Sequence, residues 1–227
     1  MAVPSVPVYV INLDHRVDRW ENIKKISHSC GIQPTRVSAV KVSPGWHGCG
    51  LSHKKIAEIA RENNDPWYLV LEDDAVFSQD QWKTFINLLP WLYEHKSEWD
   101  IFTGGVGSVE HFQLFSKTPL LYEVKGFCSH FYLVNISAYD TFISWDISKP
   151  AFDNYAKGMR MISTYPFIST QIESPSDLAG GNGPYQMIAS SEADIAQRLR
   201  EAQAIEAFRS YVKSQTPLQK IMSYFNF

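Results

Sequence analysis

At 227 residues, with 44% hydrophobic and 20% charged residues, the chain has material for one sizeable core and is not a disordered or low-complexity protein. A formal net charge of -3 with scattered basic residues argues against a protein whose main task is gripping nucleic-acid backbone. Cys30, Cys49 and Cys128 form no zinc or disulfide pattern, the N-terminus lacks a signal-peptide profile, and no run approaches the roughly 20 apolar residues that span a bilayer; the expected setting is cytoplasmic, at most peripheral to a membrane.

In chain order, residues 8–13 are a continuous apolar run rich in β-formers, the pattern of a strand buried on both faces. Beyond the polar stretch 14–19, Trp20, Ile23 and Ile26 keep helical spacing up to Gly31, a C-terminal stop. Residues 36–40 predict a short strand and 43–50 a glycine-rich loop. Ser52 then caps a helix carrying Ile56, Ile59 and Ala60, ended by Asn63-Asn64-Asp65-Pro66. Residues 67–71 read as a central buried strand running straight into Glu72-Asp73-Asp74. A helix over 81–93 follows, with Pro90 near its end, then short strands from Asp100 and over 120–124, 130–134 and 165–169, with a helix over 137–143 capped by Ser137. Ser191-x-x-Asp194 has the form of a capping box opening a helix to Lys213, and Pro217 separates a tail, 218–227. This alternation predicts an α/β layered domain with a mostly parallel central sheet over 1–185 and a C-terminal helical extension over 186–227.

The most informative feature is the apolar strand that delivers three carboxylates at its C-terminal end, where open α/β sheets bind ligands. Adjacent acids repel and are costly to desolvate unless a cation or bound protons compensate, and Mg²⁺ or Mn²⁺ prefers such oxygen ligands beside a diphosphate. Alternation along an extended chain puts Glu72 and Asp74 on one side and Asp73 on the other. Asp74 is therefore the expected direct metal ligand, with Glu72 supporting a ribose or a metal-bound water. A solvated acidic turn is the bland alternative.

Asn12, Leu13, Arg16 and Arg19 lie at the end of the first strand, on the same edge of the sheet. Arg16 and Arg19 either face a phosphate or pair with Asp14 and Asp18, and the residues alone do not separate the two. The run Gly45 to His53 combines three glycines with a helix start, which suits close approach of a phosphate or sugar oxygen to Gly48 and to free backbone N–H groups. Ser52 reads as a cap rather than a nucleophile, and His53 as either facing the site or structural. Asp153 and Asp177 are the later acids available as a base, with His130 as a further candidate. Cys49 has no base in a recognisable pattern and is not read as a nucleophile.

Three segments together, VYVINLDHRVDRW, GCGLSH and YLVLEDDAVF, resemble glycosyltransferase family 25, which includes lipooligosaccharide and procollagen galactosyltransferases. FTGG, FYLVN and YPFISTQ followed by SPSD echo it more thinly downstream. The resemblance implies a GT-A-like nucleotide-sugar-binding fold, a UDP-sugar donor, a Mn²⁺-like cofactor and inversion at the anomeric carbon. It implies metal and donor roles for Glu72, Asp73 and Asp74, and maps the family's later acid onto Asp153 and its Ser-Asp onto Ser176 and Asp177. Trp46 and His47 stand where family members often carry a small or acidic residue. The expected activity is transfer of a hexose to a hydroxyl on a glycan, lipooligosaccharide or protein. Rival expectations are a nucleotidyltransferase or hydrolase, a transferase acting on hydroxymethylated DNA bases, and a sugar-nucleotide-binding module without catalysis.

Overall fold

The computed structural model describes residues 3–127, 129–172 and 185–214. Its first elements are β1 (Val8–Asn12), α1 (Val17–Ser29), β2 (Thr35–Ser38), α2 (Gly45–Glu62), β3 (Trp67–Glu72), β4 (Ala75–Val76) and α3 (Gln79–Glu94). Then come β5 (Ile101–Thr103), β6 (Gly107–Lys117), β7 (Leu120–Phe127), β8 (Phe131–Asn135), a 3₁₀ turn over Ile136–Ala138 and α4 (Tyr139–Ile143). The last are α5 (Phe152–Ala156), β9 (Met161–Ser163), β10 (Thr170–Gln171) and α6 (Tyr185–Ser214). The chain divides into two compact units, Met1–Ser191 and Glu192–Phe227.

Eight strands form one sheet in the order β2-β1-β3-β8-β5-β9-β7-β6. The pairs β1–β2, β1–β3 and β5–β9 are parallel, and the other four are antiparallel, so β8 and β7 run against the remaining six strands. β3 lies near the middle, and its first five residues are all buried because helices cover both of its faces. Trp67, Leu69 and Leu71 pack in one cluster with Ile23 of α1 and Phe85, Leu88 and Leu92 of α3. Tyr68 points to the other layer, with its ring 5.2 Å from that of Tyr139 in α4. Neither layer leaves room for a polar alternation along the strand.

Register fixes the site. β1 and β3 end together, with Ile11 opposite Glu72, and Asn12 pairs with Ser38 of β2. β8 enters from the reverse direction, so the Glu72 N–H bonds the His130 carbonyl at 2.9 Å and Ser129 lands beside the acids. A separate two-stranded ladder pairs β4 with β10, which seats Gln171 opposite Ala75 and next to Asp74.

Several elements differ from their expected form. β6 is a full strand that its half-polar sequence hid, and 165–169 is an irregular connection whose Phe167 and Ile168 are buried. Ser52 caps nothing: α2 starts at Gly45, so Ser52 sits mid-helix, donating to the Gly48 carbonyl at 2.6 Å and accepting from the Val40 N–H at 2.8 Å. Ser137 is spent on Asp100 at 2.7 Å rather than on a cap. Ser191 lies inside α6, which opens at Tyr185, and accepts from the Val109 N–H at 3.1 Å. Gly31 does close α1, at φ 72°, and α3 carries a capping box between Ser78 and Gln81. The tail 218–227 lies outside the described residues.

Candidate active site

A cleft of 620 Å³ opens where β1, β3 and β8 meet, lined by Leu13, Arg19, Gly48, Cys49, Ser52, His53, Glu72, Asp73, Asp74, Ser129, Asp153 and Gln171 among others. The strand stops at Glu72, and Asp73 and Asp74 form the turn into β4. The strict alternation expected of an extended chain therefore fails. Asp73 and Asp74 share one guanidinium, with Arg19 Nη1 at 3.1 Å and 3.3 Å, while Glu72 turns toward β8.

Each acid has a different support. Asp73 also accepts from the Asn12 side-chain amide N–H at 2.7 Å, and Asn12 Oδ1 accepts from Arg36 at 2.9 Å and 2.6 Å, so Asn12 stands behind Asp73 as a brace. Asp74 accepts from the Gln171 amide at 3.2 Å. Glu72 accepts from the Ser129 hydroxyl at 3.2 Å, and its Oε1 lies 3.3 Å from His53 Nε2. Ser129 also reaches Asp153 at 2.9 Å, which joins α5 to the acidic turn.

Burial makes the three acids of the turn harder to ionise. Burial, then Asp153 and Asp73, pushes the Glu72 carboxyl up to about 8. Burial, then Glu72, pushes Asp74 up to about 7 despite Arg19. Asp73 is raised by burial, with Asn12 and Arg19 pulling the other way. Burial also raises the Cys49 thiol, with Glu72, Asp153 and Asp74 adding to it. A buried group of carboxylates whose charge is this unfavourable is short of positive charge.

His53 is fully buried, not at a helix start but on the middle of α2, and burial holds it down to about 4. Its ring stacks on Phe152 at 4.5 Å and 12°, with Nδ1 2.5 Å from the Tyr132 hydroxyl. The glycines of α2 serve packing. A Cβ on Gly48 runs into the Val40 carbonyl oxygen, and one on Gly50 comes within 2.5 Å of the Trp145 ring atoms Cζ2 and Cζ3. Of the two arginines, Arg16 pairs with Asp18 at 3.0 Å and Arg19 reaches the cleft acids; Asp14 is met by Arg36 at 3.2 Å. His130 is buried behind the cleft wall, and burial pushes it down to about 4. Asp177 and Ser176 lie outside the described residues.

Ser129, Gln171 and Tyr132 are site residues that the sequence reading did not single out. Ser129 had only its place before a predicted strand to mark it, and Gln171 only its place at the end of the YPFISTQ run. Two cation sets are available: the oxygen set of the acidic turn, and Cys49, His53 and Glu72, which bring one ligand atom each to within 4.8 Å of one another. Both nitrogens of His53 already meet protein partners, so the oxygen set suits a hard divalent ion better.

Among solved structures, the chain is similar to a glycosyltransferase involved in glycosylation of the major capsid of PBCV-1, at 10% identity and a TM-score of 0.43, over 72% of this chain and 83% of that one. It is also similar to HddC from Yersinia pseudotuberculosis, at 11% identity and a TM-score of 0.41, over 74% and 94%. No curated protein sequence matches. Residues 38–135 match the model of glycosyltransferase family 25 (LPS biosynthesis protein). That segment contains α2, the acidic turn and Ser129, and its likeness to family 25 supports a glycosyltransferase.

Proposed function

We propose that the protein moves a hexose from a UDP-sugar to a hydroxyl on a glycan, a lipooligosaccharide or a protein, with inversion and with Mn²⁺ or Mg²⁺ beside the donor diphosphate. The observation that carries this reading is the gathering of carboxylates: Glu72, Asp73, Asp74 and Asp153 line one cleft, and Arg19 bonds Asp73 and Asp74. The donor set fits a hard cation, because buried carboxyl oxygens raised to about 8 at Glu72 and about 7 at Asp74 gain from a nearby positive charge. Glu72 and Asp74 would hold the ion, and Asp73 stays on Arg19 and Asn12. When bound, such an ion supplies Lewis-acid stabilisation of the leaving diphosphate.

The chain's own groups do the rest. Arg19 faces the phosphates and offsets their charge. Asp153, held by the Ser129 hydroxyl, takes the proton of the acceptor hydroxyl. As that oxygen bonds to the anomeric carbon, the bond from this carbon to the diphosphate oxygen breaks and UDP leaves. Leu13, Gly48 and Ser52 shape the donor wall from β1 and α2.

The test is a thermal-shift screen of UDP-, GDP- and CDP-sugars with and without Mn²⁺, followed by product analysis with the stabilising donor. Specific stabilisation by one donor with Mn²⁺, and free UDP with a glycosylated acceptor, support the reading. Released pyrophosphate or free sugar overturns it in favour of a nucleotidyltransferase or hydrolase. Tight binding without turnover overturns it in favour of a binding module, and full activity with Asp74→Asn or in excess chelator removes the cation.

A further inference from the structure

Gln171 is buried to 3% exposure in the wall of the cleft, yet only one end of its amide is in use. Nε2 donates to Asp74 Oδ1 at 3.2 Å, whereas Oε1 is buried with no hydrogen-bond partner among the described residues. A buried carbonyl oxygen without a donor is rare, because it gives up its bonds to water and gains none in return. Such an atom marks stored strain or a site that a ligand completes.

The backbone around it is fixed. β10 pairs with β4 so that Gln171 lies opposite Ala75, and the Ile172 N–H bonds the Asp74 carbonyl at 2.8 Å. Ser169 Oγ holds the Val76 carbonyl at 3.0 Å on the same ladder. Gln171 and Asp74 are therefore kept side by side by the main chain. What can turn is the terminal amide, whose torsion is broad and roughly twofold and which one hydrogen bond holds.

A cation on Asp74 inverts the preference of that amide. An N–H aimed at Asp74 meets the positive charge beside it, while a carbonyl oxygen in the same place is attracted. A half-turn exchanges the two atoms and brings the oxygen to the position of Nε2, 3.2 Å from Asp74 Oδ1. Neighbouring oxygens on an octahedral ion with bonds of about 2.0–2.1 Å lie about 2.9 Å apart, so the two side chains are spaced to share one ion. We infer that the Gln171 side-chain carbonyl is a ligand of a hard divalent cation at Asp74, changing from hydrogen-bond donor to oxygen ligand when the ion binds.

The inference rests on the cation of the function proposed above and deepens it by naming a further protein ligand. A neutral oxygen completes the set without another carboxylate to repel a diphosphate.

The experiment follows Mn²⁺ on the full chain and needs no transfer reaction. Protein carrying ¹³C at the glutamine side-chain carbonyl, made by cell-free synthesis, is loaded with Mn²⁺, and pulsed electron paramagnetic resonance reads which carbons couple to the ion. A directly coupled carbonyl carbon that disappears in Gln171→Glu supports the inference. Bound Mn²⁺ with no such carbon overturns the role of Gln171 and leaves the cation in place. Titrations give the second readout. Gln171→Leu removes the oxygen and is expected to bind Mn²⁺ about 10-fold more weakly, whereas Gln171→Glu supplies a charged one and is expected to bind at least as tightly as wild type. Equal loss in both at unchanged melting temperature makes the N–H to Asp74 the group that matters and overturns the inference. If Gln171→Leu does not fold, the carbon coupling in the wild-type protein decides. If the wild-type protein takes no Mn²⁺, alone or with a UDP-sugar, this inference and the cation of the proposed function fall together.

Discussion

Gly50→Ala separates two readings of the glycine-rich segment. In a helix interior the change normally stabilises, by about 1 kcal/mol, because glycine gives up more backbone freedom than alanine. Here the added methyl meets the fully buried Trp145 ring, within 2.5 Å of Cζ2 and Cζ3, against an ordinary carbon contact of about 3.5–4.0 Å. Trp145 cannot swing away freely, since its indole N–H bonds the Pro150 carbonyl at 3.0 Å and its own carbonyl accepts from Lys54 at 3.2 Å. Overpacking of this kind costs about 1–3 kcal/mol, and an overlap of more than 1 Å against a pinned ring belongs at the upper end. Less the helix gain of about 1 kcal/mol, the expected net loss is about 2 kcal/mol.

For a domain of this size that is a fall of about 4–8 °C in melting temperature, read by calorimetry or circular dichroism. A double-mutant cycle identifies the cause: with Trp145→Leu in place the clash is gone, so Gly50→Ala should turn neutral or stabilising, a coupling of about 2 kcal/mol. Wild-type stability or better for Gly50→Ala alone, or additivity with Trp145→Leu, refutes the packing argument and returns Gly50 to a role in ligand approach.

Three further outcomes follow from the charges. In metal-free protein, His53 and His130, both held down to about 4, favour folding as pH rises toward the ordinary histidine value, while Glu72 (about 8) and Asp74 (about 7) oppose it from the ordinary carboxylate value upward. The melting temperature should therefore fall between about pH 7 and 8, where only the carboxyl contribution remains, and Mn²⁺ should remove the fall; a rise over that window with chelator present contradicts it. Asp100 would be raised by burial, but hydrogen bonds from Arg160 and Ser137 outweigh this and hold it at about 2, so its stabilisation is present above the ordinary carboxylate value and disappears as pH falls through 2. After screening of the exposed Arg160, Asp100→Asn should cost about 1 kcal/mol at neutral pH and nothing near pH 2, and parallel stability curves would count against the pair. Arg19→Gln should weaken donor binding about tenfold or more in calorimetry, since it removes the cation shared by Asp73 and Asp74; unchanged affinity places the phosphates elsewhere.

What could be read in advance divides by how local its cause is. β1 and β3 were legible because strands covered on both faces need unbroken apolar runs, and the acids at the end of β3 follow from the same run. β6 was missed because it is the outer strand of the sheet with one buried residue in eleven, so no hydrophobic pattern marks it. The start of α2 was misplaced because three glycines in a row of nine residues argue against helix, and only the Val40 carbonyl and Trp145 show why small residues are needed there. Ser129 and Gln171 reach the acids through strand register, from 57 and 97 residues away, and no local motif encodes that.

The same charge balance links cation and donor. Glu72, Asp73, Asp74 and Asp153 line the cleft against Arg19 and Lys41, so a diphosphate arriving alone adds negative charge to an acidic wall. A divalent ion arriving alone must compete with protons at Glu72 and Asp74, which burial raises to about 8 and about 7. Each ligand relieves the penalty of the other, so binding should be cooperative in both directions by the same factor, within the usual range of about 5–150-fold. Calorimetric titration of the stabilising sugar nucleotide at increasing Mn²⁺, and of Mn²⁺ at increasing nucleotide, measures that factor twice. Asp74→Asn should lower it toward one from both sides. If donor affinity does not depend on Mn²⁺ in the wild-type protein, the crowded carboxylates are compensated by their own protons and Arg19, and the cation has no place in the cleft.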